Sequence, residues 1–298
     1  MKLATYRDGS RDGQLMVVSR DLSQAHFVNG IASRLQQVLD DWNFLAPQLE
    51  SISQSLNQGK ARHAFAFDPA QCMAPLPRAH EVLHLVGSAL NRLGGNGLWG
   101  AQQAVQMGAR VLDADAPGLE FEACVAVVCG DMAAPSSAAS ALEGVRLLGL
   151  CSVWQLRQLA SPHSQPGCSF APVLATPDEL GEAWRGGRLH LPLQAMRNGR
   201  KLGNGKAAAS APAHVGEGLH EAARLQPLSA GTLLLSGVAD PGAAEPLHQG
   251  DSLRLDIKGL DGLSLFGAID LDIGGADANK PASPTELQGR PRFPTIEA

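Results

Sequence analysis

The sequence predicts an α+β fold rich in short strands, with a small α/β module at its N-terminus. Three observations carry this. Glycine (33) and proline (19) together exceed a sixth of the 298 residues, which suits turns and short strands better than a helical bundle. The segment Leu119–Cys129 is apolar almost throughout, as a strand covered on both faces must be. Sustained helical spacing is found in one stretch, from Gly30 to about Asn57.

Residues 1–28 read as a β-meander: KLATY and QLMVVS flank the turn sequence RDGSRDG, and a further short strand follows at Ala25–Val28. Asp8-Gly9 and Asp12-Gly13 supply the positive φ of tight hairpin turns. Ile31, Leu35, Val38 and Leu39, then Leu45, Leu49, Ile52 and Leu56, fall at helical spacings, and Pro47 is expected to divide them into two helices. Phe65-Ala66-Phe67 is a short strand, and Pro75-Leu76-Pro77 closes the N-terminal module, residues 1–77. Next, Val82, Leu83, Val86, Leu90 and Leu93 suggest a short helix ended by Gly94-Gly95-Asn96-Gly97. Ala141–Leu159 reads as helix or as strand plus helix, and Leu219–Leu225 as a helical turn. Arg188–Leu193, Thr232–Ser236, Leu253–Ile257 and Leu263–Ile269 read as strands. Residues 78–272 form the second domain, and 273–298, polar and aperiodic, a flexible C-terminal tail.

Composition narrows the function classes. A net charge of -5 argues against a nucleic-acid partner, which needs a basic surface to release phosphate counterions. No apolar run is long enough to span a bilayer, and the N-terminus lacks the unbroken apolar stretch of a signal peptide. Cys72, Cys124, Cys129, Cys151 and Cys168 are odd in number and scattered, without CxxC spacing. Buried free thiols in a reducing compartment, the cytoplasm, are expected.

The sharpest local feature is Asp113-Ala-Asp115-Ala-Pro-Gly-Leu-Glu120-Phe-Glu122, four carboxylates within ten residues at the entry to the buried strand. Glu120 and Glu122 leave an extended chain on one face, which continues with Cys124, Ala126 and Val128. Such a pair is tolerable if a hard divalent cation such as Mg²⁺ or Mn²⁺ shares it, or if the strand mouth is solvated beside an arginine or lysine.

The string Gly118-Leu-Glu-Phe-Glu-Ala-Cys-Val-Ala-Val-Val-Cys-Gly-Asp131 resembles the metal-binding strand of the fumarylacetoacetate hydrolase (FAH) superfamily. Phe170–Trp184, Gly186–Leu193, Gly250–Arg254 and Leu265–Asp270 resemble later stretches of the same family in the same order, and Met1–Asp21 resembles its opening module. The resemblance implies an FAH-type mixed β-roll, a homodimer, and a Mg²⁺- or Mn²⁺-dependent site acting on small 2-oxo or β-diketo acids. It makes Glu120 and Glu122 metal ligands. At the family's Asn-Asp-Val motif this chain reads Cys151-Ser152-Val153, which puts Ser152 in place of a third carboxylate. The family's lysine becomes Gln165, and its Ser-Gly-Thr motif becomes Ser236-Gly237-Val238. Gln165, Gly237, Val238 and Arg110 are the substrate-binding candidates. His84, with Glu122 and Ser152, is the catalytic candidate, because some relatives use a histidine near this region. His80 and His84 are four apart, a metal-ligand spacing if the segment is helical.

Structural strings are retained while charged and polar site residues become Ser, Gln and Val. The expectation is an FAH-fold enzyme with an altered site, working on an oxo-acid-like substrate by proton transfer, C–C cleavage, decarboxylation or condensation. Its cofactor would be absent or a weakly held Mg²⁺ or Mn²⁺. The alternatives are a non-catalytic binding relative and a conventional Mg²⁺-dependent hydrolase in which Asp113 or Asp115 completes the ligand set.

Overall fold

The computed structural model describes residues 1–93, 98–100, 119–134, 137–156, 167–202, 214–237 and 246–273. The N-terminal segment forms β1 (Lys2–Tyr6), β2 (Gln14–Val18) and β3 (Gln24–Phe27), then α1 (Leu35–Asp40), α2 (Trp42–Asn57) and β4 (Phe65–Ala66). A hairpin of β5 (Glu81–Val86) and β6 (Ala89–Leu93) follows, with β7 (Leu98–Trp99) and the long β8 (Leu119–Cys129). After the short α3 (Ala138–Ala141) come β9 (Val145–Leu156), β10 (Gly167–Phe170), β11 (Val173–Ala175) and α4 (Pro177–Leu180). The remainder comprises β12 (Trp184–Arg185), β13 (Arg188–Leu189), β14 (Leu193–Arg197), β15 (Arg200–Lys201), α5 (Val215–Leu225), β16 (Thr232–Gly237), β17 (Ser252–Ile257) and β18 (Ile269–Asp272).

One large sheet joins the N-terminal strands to β16. Its order is β4-β3-β2-β1-β11-β9-β8-β16-β5-β6, with β10 paired to β9 and β7 to β10. The N-terminal meander enters it where β1 pairs antiparallel with β11, Leu3 opposite Leu174. A second sheet runs β15-β14-β17-β18.

The central strands are buried on both faces. On one face Val125, Val127, Leu148, Leu150 and Trp154 join a core with Leu219 of α5 and Leu253 and Leu255 of the second sheet. On the other, Cys124, Ala126, Val128, Leu147, Cys151 and Val153 pack with Leu35, Val38, Leu39, Leu49 and Leu56 of α1 and α2. At about 1.5–3 kcal/mol for each fully buried large aliphatic side chain, these two layers hold the strands in register.

Several expectations need correction. The helix break falls at Asp41, in a non-helical conformation (φ -129°, ψ 48°), and Pro47 lies inside α2. Pro47 forgoes one backbone hydrogen bond, but the buried row Leu49, Ser53, Leu56 continues without a shift of phase and keeps the helix whole. The segment expected as a helix around Val82–Leu93 is the β5–β6 hairpin, turned at Gly87 in the left-handed region (φ 59°). There the apolar run pairs in parallel with β16, and that ladder overrides the weak helical spacing. His80 precedes the strand, so it does not share a helix face with His84. Leu219–Leu225 belongs to the longer α5, and Leu263–Ile269 is mostly loop leading into β18. The basic tip at Arg197–Lys201 is a hairpin in which Arg197 turns to Asp251 at 2.6 Å. No helix among the described residues is long and apolar enough to cross a membrane.

Candidate functional site

The site is built on the face of the large sheet that looks toward α1 and α2. On β8 the alternation of the strand puts Glu120 and Glu122 in line with Cys124, Ala126 and Val128, which are core residues of that face. Strand β16 lies between β8 and β5. Gly237 stands directly opposite Cys124, and on the other side Leu235 is in register with His84. A Glu122 side chain that seeks β5 must therefore cross β16.

It does so over Gly237. A Cβ on residue 237 would lie 2.1 Å from Glu122 Oε1, so the glycine's bare backbone is what leaves the carboxylate its place. Past it, Glu122 Oε2 meets His84 Nε2 at 3.0 Å. Cys124 Sγ is 3.9 Å from the same nitrogen and 3.8 Å from the Glu122 backbone oxygen. The His84 side chain is wholly buried, whereas the Glu122 side chain keeps 31% of its surface open. The histidine backs the carboxylate, and the Glu122 side chain stays partly exposed.

Burial acts to lower the pKa of His84, but hydrogen bonding to Cys124 and Glu122 and the charge of Glu122 raise it to about 9. Burial pushes the thiols of Cys124 and Cys151 up, so both stay protonated and unreactive. All five cysteines are free and buried, as the sequence suggests.

Ser152 is not at this site. It is opposite Ala123, a residue of the other core, and its β10 partner is Ser169. Ser169 accepts a hydrogen bond from Trp154 Nε1 at 2.9 Å, while the buried Ser152 Oγ has no partner among the described residues. The face of Glu120 and Glu122 is met on β9 by Gln155 opposite Glu120, Val153 opposite Glu122 and Cys151 opposite Cys124. None is a carboxylate. A hard octahedral ion such as Mg²⁺ or Mn²⁺ asks for several oxygen ligands, and an apolar Val153 directly across from Glu122 does not fit that requirement. The register of β9 on β8 is what separates Ser152 from Val153 and Gln155. Cys124 is hard to recognise as a partner from the chain, because its neighbours in sequence are all apolar.

Among the other sequence-predicted residues, Gly237 is at the site as the floor under Glu122, and Glu120 is on the same strand face one pair further out. Arg110, Gln165, Val238, Asp113 and Asp115 lie outside the described residues, as does the tail from 274 onward.

The family model described as fumarylacetoacetase N-terminal domain 2 matches residues 1–78, and that of the fumarylacetoacetate (FAA) hydrolase C-terminal domain matches residues 94–264. The chain belongs to the fumarylacetoacetate hydrolase family. No curated protein sequence matches it. Among solved structures, maleylpyruvate hydrolase from Sphingobium sp. SYK-6 superposes with a TM-score of 0.69 at 15% identity, covering 92% of this chain and 99% of that one. The same hydrolase has been solved with manganese(II) and pyruvate. Fumarylacetoacetate hydrolase from the psychrophile Exiguobacterium antarcticum gives a TM-score of 0.67 at 18% identity, covering 92% and 99%. A probable 2-hydroxyhepta-2,4-diene-1,7-dioate isomerase from Mycobacterium abscessus gives 0.66 at 15%, covering 92% and 98%. At these identities the FAH fold is shared, and the site must be judged on its own residues.

Proposed function

We propose that this FAH-family chain is an enzyme for small 2-oxo or β-diketo-acid-derived substrates, working by proton transfer with Glu122 as the base and without reliance on a hard divalent ion. The single observation that carries this reading is the Glu122–His84 pair across Gly237. A partly exposed Glu122 side chain held by a buried imidazole is oriented before substrate arrives, and orientation is the main demand of proton abstraction beside a carbonyl. His84 is too deeply buried to reach substrate and acts as a positioning residue. Binding of a 2-oxo acid is supported by the family and by the pyruvate complex of the Sphingobium hydrolase. Hydrolytic C–C cleavage is disfavoured because β9 offers Val153 and Gln155 where an additional ligand for a hard ion would be needed.

The test is hydrogen–deuterium exchange at the carbon next to the keto group of pyruvate, oxaloacetate and an acylpyruvate, followed by proton NMR in the presence of a chelator. Exchange is expected to survive the chelator and to fall about 10²-fold or more in Glu122→Gln. Exchange no faster than in buffer for every substrate would overturn the enzymatic reading and favour a binding relative.

A further inference from the structure

We infer that His84 Nε2, a carboxylate oxygen of Glu122 and Cys124 Sγ form a binding site for a borderline transition-metal ion, Zn²⁺ or Co²⁺, in preference to Mg²⁺ or Mn²⁺. The three donor atoms lie within 4.8 Å of one another, drawn from two strands with β16 between them. One imidazole nitrogen, one carboxylate oxygen and one sulfur match the ligands that tetrahedral zinc takes, and three protein ligands leave the fourth position for water. A thiolate and an imidazole favour Zn²⁺ and Co²⁺ over the hard ions, which prefer oxygen throughout. The surroundings agree with that choice. Cys151 stands opposite Cys124, and Cys168 is opposite Val153, so further sulfur rather than oxygen backs the site.

Access and adjustment are both provided for. The partly open Glu122 side chain marks the way in for an ion. With no Cβ at Gly237, its carboxylate can pivot from His84 onto the ion without moving the backbone. Binding sends the proton of the Cys124 thiol and that of His84 Nε2 to solvent and replaces the Nε2–H···Oε2 hydrogen bond by two metal–ligand bonds. Because the ion takes up the lone pairs of Glu122, it inhibits proton transfer by that carboxylate. The inhibitory role rests on the proposed function, whereas binding does not.

The full-length chain, freed of metal by chelation, is titrated with Co²⁺ and followed by absorbance. One equivalent is expected to bind with visible tetrahedral bands and a near-ultraviolet thiolate-to-cobalt band. Zn²⁺ should displace it stoichiometrically, and a roughly hundredfold excess of Mg²⁺ or Mn²⁺ should not. Cys124→Ser should abolish the thiolate band and Cys151→Ser should keep it, both checked for folding by circular dichroism. If Cys124→Ser does not fold, Glu122→Gln, at a half-open position, should weaken Co²⁺ binding about tenfold or more. No stoichiometric band, a band that survives Cys124→Ser, unchanged affinity in Glu122→Gln, or displacement by Mn²⁺ would each overturn the site. Keto-acid exchange that continues unchanged in the Zn²⁺-loaded protein overturns the inhibitory role alone. Absence of exchange in the metal-free protein removes the proposed function and leaves the cobalt result standing.

Discussion

The carboxylate of Glu122 occupies the place where a side chain on residue 237 would begin, 2.1 Å from the Cβ position of Gly237. Residue 237 is not in the left-handed region, so its need for glycine is steric. Gly237→Ala is expected to push the carboxylate off His84 while the fold survives, because the atom that must give way is the tip of a flexible side chain. Thermal melting should change by about 1 kcal/mol or less, and keto-acid exchange should fall about 10²-fold. A large loss of stability with unaltered exchange per folded molecule would contradict this.

The role proposed for His84, acting through Glu122, is separable from substrate contact by the two kinetic constants. In His84→Gln the amide still donates to the carboxylate without its charge, so kcat is expected to drop about tenfold with KM unchanged. In His84→Leu the donor is lost as well, and the drop should reach about 10²-fold. A rise in KM as the main effect would place His84 against the substrate instead.

The assignment of faces on β9 is open to a direct comparison. Val153→Asp sets a buried carboxylate across from Glu122 and should destabilise the metal-free protein by about 2–4 kcal/mol. Millimolar Mn²⁺ should recover much of that loss, since the three carboxylates would then share an ion. Ser152→Asp buries its charge on the opposite face beside Trp154, so Mn²⁺ should recover none of it. Equal rescue of both variants in a thermal shift assay would refute the pairing of Val153, rather than Ser152, with Glu122.

Asp251 offers a pH prediction away from the site. Burial opposes its ionisation, but the backbone N–H of His248 at 2.7 Å, Asn198 Nδ2 at 2.7 Å and Arg197 Nη2 at 2.6 Å together lower its pKa below the ordinary carboxylate value. A group with a depressed folded-state pKa stabilises the protein above its unfolded pKa of about 3.9, and that contribution is lost as pH falls through the lower folded value. Asp251→Asn should therefore cost about 2–3 kcal/mol at neutral pH, and the gap from the parent should close below about pH 4. A gap that persists in acid melting curves would show that packing, not charge, is at stake.

The fold is readable wherever the local pattern and the long-range pairing agree. Leu119–Cys129 and the meander from Lys2 to Phe27 are apolar in a way that only a sheet can bury, and the structure has them as strands. The segment Val82–Leu93 misleads because its apolar residues satisfy both periods, and only the arrival of β16, some 150 residues later, decides for a strand. At the site, Glu122, His84 and Gly237 can each be nominated from the chain. Their relation cannot, because it depends on which strand lies between two others. Ser152 is one residue out of phase with the site, and in a strand one residue is the difference between two faces of the sheet.

The parallel pairing of β5 with β16 also has a kinetic meaning. His84 is synthesised early, Glu122 some forty residues later, and the glycine strand that separates them near the end of the described chain. The site is consequently a seam, shut only when a loop of about 150 residues closes. Until then the histidine and the glutamate have no shared floor, and a nascent or truncated chain that stops before Thr232 lacks the strand that brings them together. High contact order makes that closure slow, so the appearance of function should trail the formation of the β8–β9 hairpin during folding.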